Sequence, residues 1–279
     1  MRRSPFHAAV LIAVAACASA CDSRTPTSAA VAPPGSPSKG VEPSAAAPSP
    51  AAAATPPGPQ SHAVPTSVDL RPRLTELGLT PRPQGPRSTC SIFTTCSAIE
   101  VAVAKRTGAA VRLSPEYLNW AAGKAARHAS DGNFFHNAIA GFEAYGLCTE
   151  AAMPYQPAFD PQREPSAEAA QQGARLREQA NGTVVFRWIV PWAPDRFGVS
   201  EEQFAEIKRV LAAGYPVAAG SGHSRLLVGY RDDAKLPGGG AFITEDSALS
   251  RFDEVPYEFV RKQVADVFWV EALSPTPKR

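Results

Sequence analysis

Hydrophobic positions from Cys90 to Gly108 recur at helical intervals and leave almost no polar face. The three prolines of the segment 80–86 exclude a helix immediately before this stretch, because proline fixes φ and lacks an N–H donor. Ser88 or Thr89 is positioned to cap the helix. The pattern therefore predicts a buried helix with Cys90 in its first turn.

Further helices follow in the first half of the chain. Ser114 and Pro115 form a capped start with proline at the first helical position. A third helix is predicted from about 136 to 145, with Gly146 ending it. The polar stretch rich in Gln, Ala, Glu and Arg after Tyr155 predicts an exposed helix.

The second half is dominated by strand patterns. Residues 184–190 are β-branched or aromatic almost throughout, and one helix is predicted from Ser200 to Ala213 with Gln203 completing a capping box. Other strands are predicted at Pro216–Ala219, Arg225–Tyr230, Ala241–Glu245 and Val267–Val270. Helices followed by strands indicate an α+β fold with two lobes.

Residues 1–21 have the pattern of an export signal. Arg2 and Arg3 precede a short apolar run that is too short to span a bilayer. Cys17 follows Val-Ala-Ala as in a bacterial lipobox, and Ala-Ser-Ala before Cys21 is either a second lipobox or an ordinary cleavage site. We expect a lipoprotein signal, with Cys17 or Cys21 lipidated, and location at the cell envelope, in the periplasm or outside the cell.

Composition divides the rest of the chain into a tether and one domain. Residues 22–64 are almost entirely Ala, Pro, Ser, Thr and Gly, which cannot bury enough apolar surface to fold. Residues 65–275 are sufficient for one domain. A net charge of +2 with interspersed signs excludes a nucleic-acid footprint. We expect a monomer that meets the membrane only through its lipid anchor.

The domain contains three cysteines, so at least one is unpaired. Cys90 lies at a helix N-terminus, where free N–H groups and the helix dipole favour a thiolate. Cys96 lies two turns further along among apolar residues and is expected in the core. Cys96 and Cys148 either pair or remain as two reduced core thiols.

The order of motifs along the domain resembles that of papain-family cysteine peptidases. The segment 68–155 contains Val-Asp-x-Arg, Pro-x-Gln-Gly, the nucleophile, Ile-Glu, Leu-Ser-x-Glu-x-Leu and Tyr-Gly-x-x-Thr-Glu-x-x-x-Pro-Tyr. Downstream, His223 precedes an apolar run ending in Gly-Tyr, and Asp246-Ser247 follows a strand. Cys90 and His223 are 133 residues apart, within the spacing of this family.

The resemblance implies a two-lobe papain-like fold. It has a helical N-terminal lobe (about 84–180), an antiparallel β-barrel-like C-terminal lobe (about 181–275 with 66–80) and the active site in the cleft between them. It assigns Cys90 as nucleophile, His223 as base and Gln84 as oxyanion donor, with Asp246 in the place where the family has asparagine. A carboxylate there is expected to raise the pKa of His223 and the pH optimum. No cofactor or metal is implied.

The resemblance also indicates where substrate binds. Gly132 and Asn133 match a glycine-rich loop that lines the subsites before the scissile bond, and Phe134 is expected to form a wall of the main specificity pocket. An apolar preference follows at that subsite. Alternatively, Phe134 and Phe135 are aromatic residues of the core.

Several positions depart from the family pattern. Arg87, Ser88 and Thr89 replace a cysteine, a glycine and a small residue, so one common disulfide cannot form, and Ser91 replaces an aromatic residue. Ala248 stands where a tryptophan usually shields the bond between the histidine and its partner. We therefore expect that bond to be exposed to solvent and weakened.

These features favour a cysteine endopeptidase that hydrolyses peptides or proteins outside the cytoplasm. Two alternatives stay open: a Cys-dependent acyltransferase, and a catalytically weak papain-like scaffold that binds peptides or partner proteins at the envelope.

Overall fold

The structure is a computed structural model that describes residues 64–181 and 183–273. The predicted signal, both of its cysteines and nearly all of the predicted tether lie outside the described residues. Within the described part of the chain, no helix is long and apolar enough to span a membrane.

Seven helices and seven strands are present in the described residues. The helices are α1 Arg71–Glu76, α2 Cys90–Thr107, α3 Pro115–Ala126, α4 Phe135–Tyr145, α5 Ala167–Ala180, α6 Glu201–Ala212 and α7 Tyr257–Gln263. The strands are β1 Ser67–Asp69, β2 Val184–Val190, β3 Val217–Gly220, β4 Arg225–Asp232, β5 Gly240–Asp246, β6 Arg251–Pro256 and β7 Asp266–Ala272. This order confirms the predicted α+β class.

The long helix α2 begins and ends where the sequence predicts. Gly108 closes it in the left-handed conformation, with φ of 73°. Thr89 is the N-cap residue, but its side chain makes no cap hydrogen bond. Its hydroxyl lies 2.6 Å from the hydroxyl of Tyr155 instead. The first turn of α2 therefore keeps free N–H groups beside Cys90.

Two other predicted helix starts are confirmed in detail. Ser114 accepts a hydrogen bond from the N–H of Tyr117 at 3.0 Å, and Pro115 is the first helical residue of α3. Ser200 and Gln203 form the reciprocal capping box of α6. These local bonds fix where each helix enters the fold.

The strands form one seven-stranded antiparallel sheet. The order along it is β2-β7-β3-β4-β5-β6, and β1 pairs with β4. Strands β4 and β5 lie side by side, with Leu226 opposite Glu245. This register brings the start of β4, just after His223, next to the end of β5 at Asp246.

Helix α2 lies against the sheet and is buried along most of its length. It packs against α3 and α4 on one side and against β3, β4 and β7 on the other. A second apolar cluster fills the space between the sheet and helices α6 and α7. The N-terminus of α2 is thus held by packing on both sides at the point where the strands end.

Three elements of the structure are absent from the sequence prediction. Helices α1 and α7 have six and seven residues, and both are too short to show a helical period. Strand β6, Arg251–Pro256, has two acidic residues and a mixed burial pattern. It pairs with β5 at the sheet edge, where one side of the strand stays open to solvent.

Candidate active site

Cys90 is the first residue of α2 and lies partly exposed at the cleft. Burial raises the pKa of its thiol, but hydrogen bonds with His223 and Ser224 act in the opposite direction, and the net pKa is lowered. The position at a helix N-terminus favours the thiolate further. Cys90 has the environment of a reactive cysteine.

His223 lies between Cys90 and Asp246. Its Nε2 is 2.9 Å from Oδ1 of Asp246, and because an ionised carboxylate only accepts, Nε2 donates this bond. Nδ1 is then the ring nitrogen left for the sulfur. The bond with Cys90 and the bond with Asp246 both raise the pKa of His223, against the effect of burial. The pair therefore favours thiolate and imidazolium.

Asp246 is buried, with 1% of its surface exposed. Burial raises the pKa of its carboxyl, but its bonds to His223, the N–H of Leu249 and the charge of Arg225 lower the net pKa. The N–H groups of Ala248 and Leu249 donate to Oδ1 at 2.9 and 3.1 Å. We expected the bond between His223 and Asp246 to be exposed because the tryptophan is missing; the Asp246 end is buried, whereas the His223 side chain is 23% exposed.

Arg225 completes this arrangement and was missed by sequence analysis. Its Nε donates to Oδ2 of Asp246 at 2.9 Å, so one carboxylate is shared between Arg225 and His223. The guanidinium lies 5.7 Å from the ring centre of Phe259. The signal in the sequence was a cation two residues after the histidine, at a position that the resemblance treated only as strand.

Gln84 is buried and held at both ends of its amide. Ser247 Oγ donates to Oε1 at 2.7 Å, and Nε2 donates to the carbonyl of Arg87 at 2.7 Å. The backbone N–H of Gln84 also donates to the carbonyl of Ser247 at 3.0 Å. Since a carboxamide has two N–H groups, the second is available to another acceptor. Ser247 thereby ties Gln84 to the strand end that bears Asp246.

The cleft beside Cys90 has a volume of about 600 Å³. All four predicted substrate-binding residues, Gly132, Asn133, Phe134 and Phe135, line it. Phe134 is 57% exposed at the rim, whereas Phe135 is buried and packs edge-to-face on Phe268. Phe134 therefore matches the prediction of a residue at the wall of the substrate pocket, and Phe135 matches the alternative prediction of an aromatic core residue.

Two loops meet closely at this cleft. The Oγ of Ser91, the residue that replaces the expected aromatic, donates to the carbonyl of Asn133. A Cβ atom on Gly132 would fall 1.9 Å from the carbonyl oxygen of Ser88, so only glycine fits there. The glycine loop is thus fixed against the loop that leads into Cys90.

The other two cysteines differ sharply from Cys90. Cys96 and Cys148 are buried free thiols and do not form a disulfide. Burial raises the pKa of Cys96 well above its usual value, and burial raises the pKa of Cys148 to about 12. They are core thiols and inert at neutral pH. Over residues 64–181 and 183–273, no cluster of His, Cys, Asp and Glu suits a metal ion.

A helical half, an antiparallel sheet and a cleft with a cysteine at a helix N-terminus define the papain-like fold, and comparison with solved structures shows that this chain has it. Xylellain, a cysteine protease from Xylella fastidiosa, superposes with a TM-score of 0.59 at 16% identity, over 79% of this chain and 91% of that one.

Two further structures show the same relationship. Digestive procathepsin L 3 from the larval midgut of Tenebrio molitor gives a TM-score of 0.57 at 17% identity, over 78% of this chain and 73% of that one. The Carica candamarcensis cysteine protease CMS1MS2, solved in complex with E-64, gives 0.54 at 19% identity, over 76% and 100%. No protein-family model and no curated protein matches the chain.

Proposed function

We propose that the chain is a cysteine endopeptidase in which Cys90, His223 and Asp246 form the catalytic triad. The observation that carries the proposal is the placement of His223, whose Nε2 lies 2.9 Å from the Asp246 carboxylate and whose ring lowers the pKa of the Cys90 thiol. A thiol with a lowered pKa beside an imidazole with a raised pKa is the arrangement that nucleophilic catalysis requires.

In the proposed reaction, the Cys90 thiolate forms a bond to the carbonyl carbon of a peptide. When the C–N bond breaks, the His223 imidazolium gives its proton to the leaving amine. The neutral imidazole then takes a proton from water, and the hydroxide attacks the thioester. The C–S bond breaks, the thiolate is restored beside the imidazolium, and the carboxylic acid product leaves and gives its proton to solvent.

Gln84 is the proposed side-chain donor to the oxyanion that forms in both steps. Ser247 fixes Oε1 of its amide, which directs the NH2 group away from Ser247 and determines which atom is the donor. The backbone N–H of Cys90, free at the start of α2, is the second donor. Two fixed donors of this kind typically contribute 10²-fold or more in rate.

The proposal is tested by labelling and cleavage with the intact domain. We expect an epoxide inhibitor of the E-64 type to modify Cys90 well before Cys96 or Cys148, as measured by peptide mass spectrometry. We expect Cys90→Ala to abolish cleavage of a quenched fluorescent peptide library. Labelling without hydrolysis, together with transfer of an acyl group to an added amine, would identify an acyltransferase, and equal labelling of all three thiols would leave only the binding scaffold.

We further propose that this peptidase acts outside the cytoplasm, held by a lipid on Cys17 or Cys21. The signal-like segment 1–21 and the low-complexity segment 22–64 support this location. Metabolic labelling of the full-length chain with a radioactive fatty acid tests it. Label that is lost in Cys17→Ser or in Cys21→Ser identifies the anchored residue, and label that never appears excludes the lipoprotein.

A further inference from the structure

The floor of the cleft holds an acidic side chain that the triad does not use. Asp266, the first residue of β7, is 5% exposed and lines the same cleft as Cys90. Burial alone raises the pKa of its carboxyl to about 6, and no charged group in the described residues acts on it. Asp266 is therefore mainly ionised at neutral pH and lacks a cationic partner, although a buried charge is normally paired.

The surroundings of Asp266 are shaped to leave its carboxylate open to the cleft. Gly220 is its partner across the sheet, and a Cβ atom there would fall 1.8 Å from Oδ1 of Asp266. The same Cβ atom would lie 3.0 Å from the ring of Phe135. Glycine at position 220 thus clears the space in which the carboxylate faces the cavity.

A group of three aromatic rings lies beside this space, and two of them, Phe134 and Trp192, line the cleft. The rings of Phe134 and His136 stack in parallel with their centres 5.5 Å apart, and Trp192 lies 5.6 Å from Phe134 and 5.8 Å from His136. Phe134 and Trp192 are among the most exposed large apolar side chains, at 57% and 42%. We call these three residues the aromatic collar.

The collar is electrically suited to a cation. Burial lowers the pKa of His136, so its ring is neutral at neutral pH and adds no positive charge. Aromatic faces attract ammonium and guanidinium groups, and their area also covers an alkyl stem. The other ionisable groups that line the cleft are Cys90, His128 and Asp131, and the last of these is already paired with Arg87.

We propose that Asp266 and the aromatic collar form a subsite for a cationic side chain of the substrate, a lysine or arginine on the amino-terminal side of the scissile bond. The stem packs on the exposed surfaces of Phe134 and Trp192, and the charged head reaches Asp266. This inference rests on the proposed peptidase function, and it differs from the apolar preference that Phe134 alone suggests.

The test uses pairs of substrates that differ only in charge. Peptides carry arginine or its uncharged analogue citrulline, and lysine or norleucine, at each of the four positions before the cleaved bond in turn. We expect the intact protein to cleave one arginine series about tenfold or more faster in kcat/KM than its citrulline partner. In Asp266→Asn that ratio should fall to nearly one, because kcat/KM falls for the arginine peptides and stays the same for the citrulline peptides.

Two further variants separate the parts of the subsite. Trp192→Ala should raise KM for lysine and norleucine peptides by a similar factor, because it removes contact with the shared alkyl stem. Asp195→Asn is the matched control, since it removes one negative charge from the loop that bears Trp192 but outside the cleft, and asparagine tolerates its φ of 56°. It should leave the ratio between arginine and citrulline unchanged.

The inference and the proposed function can fail separately. Cleavage with no charge preference at any position, or an equal effect of Asp266→Asn on both members of a pair, overturns the subsite and leaves the peptidase. If no peptide is cleaved, binding of the same pairs to Cys90→Ala is measured by fluorescence anisotropy. Preference for arginine that depends on Asp266 then supports the subsite while the peptidase proposal fails.

Discussion

Asp246 is the residue whose charge sets the alkaline limit of the proposed activity. His223 must be protonated when the amine leaves, and the Asp246 carboxylate helps to raise its pKa. In Asp246→Asn that contribution is lost, so we expect the alkaline limb of the kcat/KM profile to move to lower pH. The profile is measured with one peptide from pH 4 to 10 (about two points per unit).

Substitution of Arg225, which binds the same carboxylate, should shift the alkaline limb of the pH profile in the opposite direction. Its guanidinium partly neutralises Asp246, so Arg225→Gln leaves the charge of Asp246 acting more fully on His223. We expect the alkaline limb to move to higher pH, and the double variant with Asp246→Asn to lie between the two single variants. Shifts of the same sign in both single variants would contradict this account of the pair.

The three residues of the proposed triad could be predicted from the sequence because they occur in short motifs in a fixed order. Cys90 follows a proline-rich loop, His223 comes just before a strand pattern, and Asp246 comes at the end of one. Arg225 and Asp266 gave no such signal, since their roles depend on neighbours across the sheet. Asp266 in particular is significant only because Gly220 is its partner on β3.

At the scale of elements, the glycine loop lies so close to the loop before α2 that no side chain fits at position 132. Gly132→Ala forces a Cβ atom onto the carbonyl of Ser88 and also strains a residue with φ of 90°. We expect a loss of more than about 2 kcal/mol in the free energy of unfolding and a fall in kcat/KM. Thermal and denaturant unfolding measure the first effect.

Gly239→Ala is the matched control for this substitution. Gly239 has a similar φ of 86°, but a Cβ atom there would meet nothing within 4 Å. It should show the backbone strain alone, about 1–2 kcal/mol. Equal losses in the two variants would mean that the contact with Ser88 has no effect on stability.

Arg87 holds three segments of the cleft wall together. Its guanidinium bonds Glu116 at 2.6 Å, Asp131 at 2.8 Å and the carbonyl of Gln156 at 2.9 Å, and it is almost fully buried. Arg87→Met removes the closest cation from the buried Glu116 carboxylate, so we expect a loss of about 3 kcal/mol or more in stability. Chemical denaturation at neutral pH measures it.

The exposed pair of Arg73 and Glu76 supplies the comparison. Its nitrogen–oxygen distance of 2.7 Å is as short, but both side chains are more than half exposed. Arg73→Met should change the free energy of unfolding by less than about 1 kcal/mol. A similar change in the free energy of unfolding in Arg87→Met and Arg73→Met would show that burial does not determine how much these ion pairs stabilise the fold.

Elements with a clear period or a cap were predictable, and elements fixed by tertiary contacts were not. Helix α6 was predicted from the capping box of Ser200 and Gln203 and from Gly214 beyond its end. Helix α7 follows β6 directly and is held by aromatic packing of Tyr257 on Phe204 and Phe242, residues far away in the sequence. Such contacts leave no local pattern.

For the whole molecule, one buried carboxyl connects the helical half to the sheet and makes stability depend on pH. Glu245 on β5 accepts a hydrogen bond from Ser97 of α2 at 2.8 Å, and burial raises its pKa from 4.5 to about 7. The folded state thus holds a proton that the unfolded state has lost. The contribution of Glu245 to the free energy of unfolding is complete below about pH 4.5 and is lost as the pH rises to about 7.

Glu245→Gln keeps the shape and the acceptor for Ser97 but removes the titration. We expect the variant to gain up to about 3 kcal/mol over the parent between pH 5 and pH 8, as measured by denaturant unfolding at each pH. Glu178→Gln, on the exposed face of α5, should follow the parent at every pH. A difference in the free energy of unfolding between Glu245→Gln and the parent that does not change with pH would contradict the raised pKa of Glu245.

The replacement of a cysteine by Arg87 has a practical consequence for redox behaviour. In the described residues, the wall of the cleft is closed by ion pairs and no disulfide is present. Between residues 64 and 273, a strong reductant therefore has the reactive Cys90 thiol as its main target, and it keeps this thiol from oxidation. The melting temperature of the domain should be the same in oxidising and reducing buffer, while the proposed peptidase activity should require the reductant.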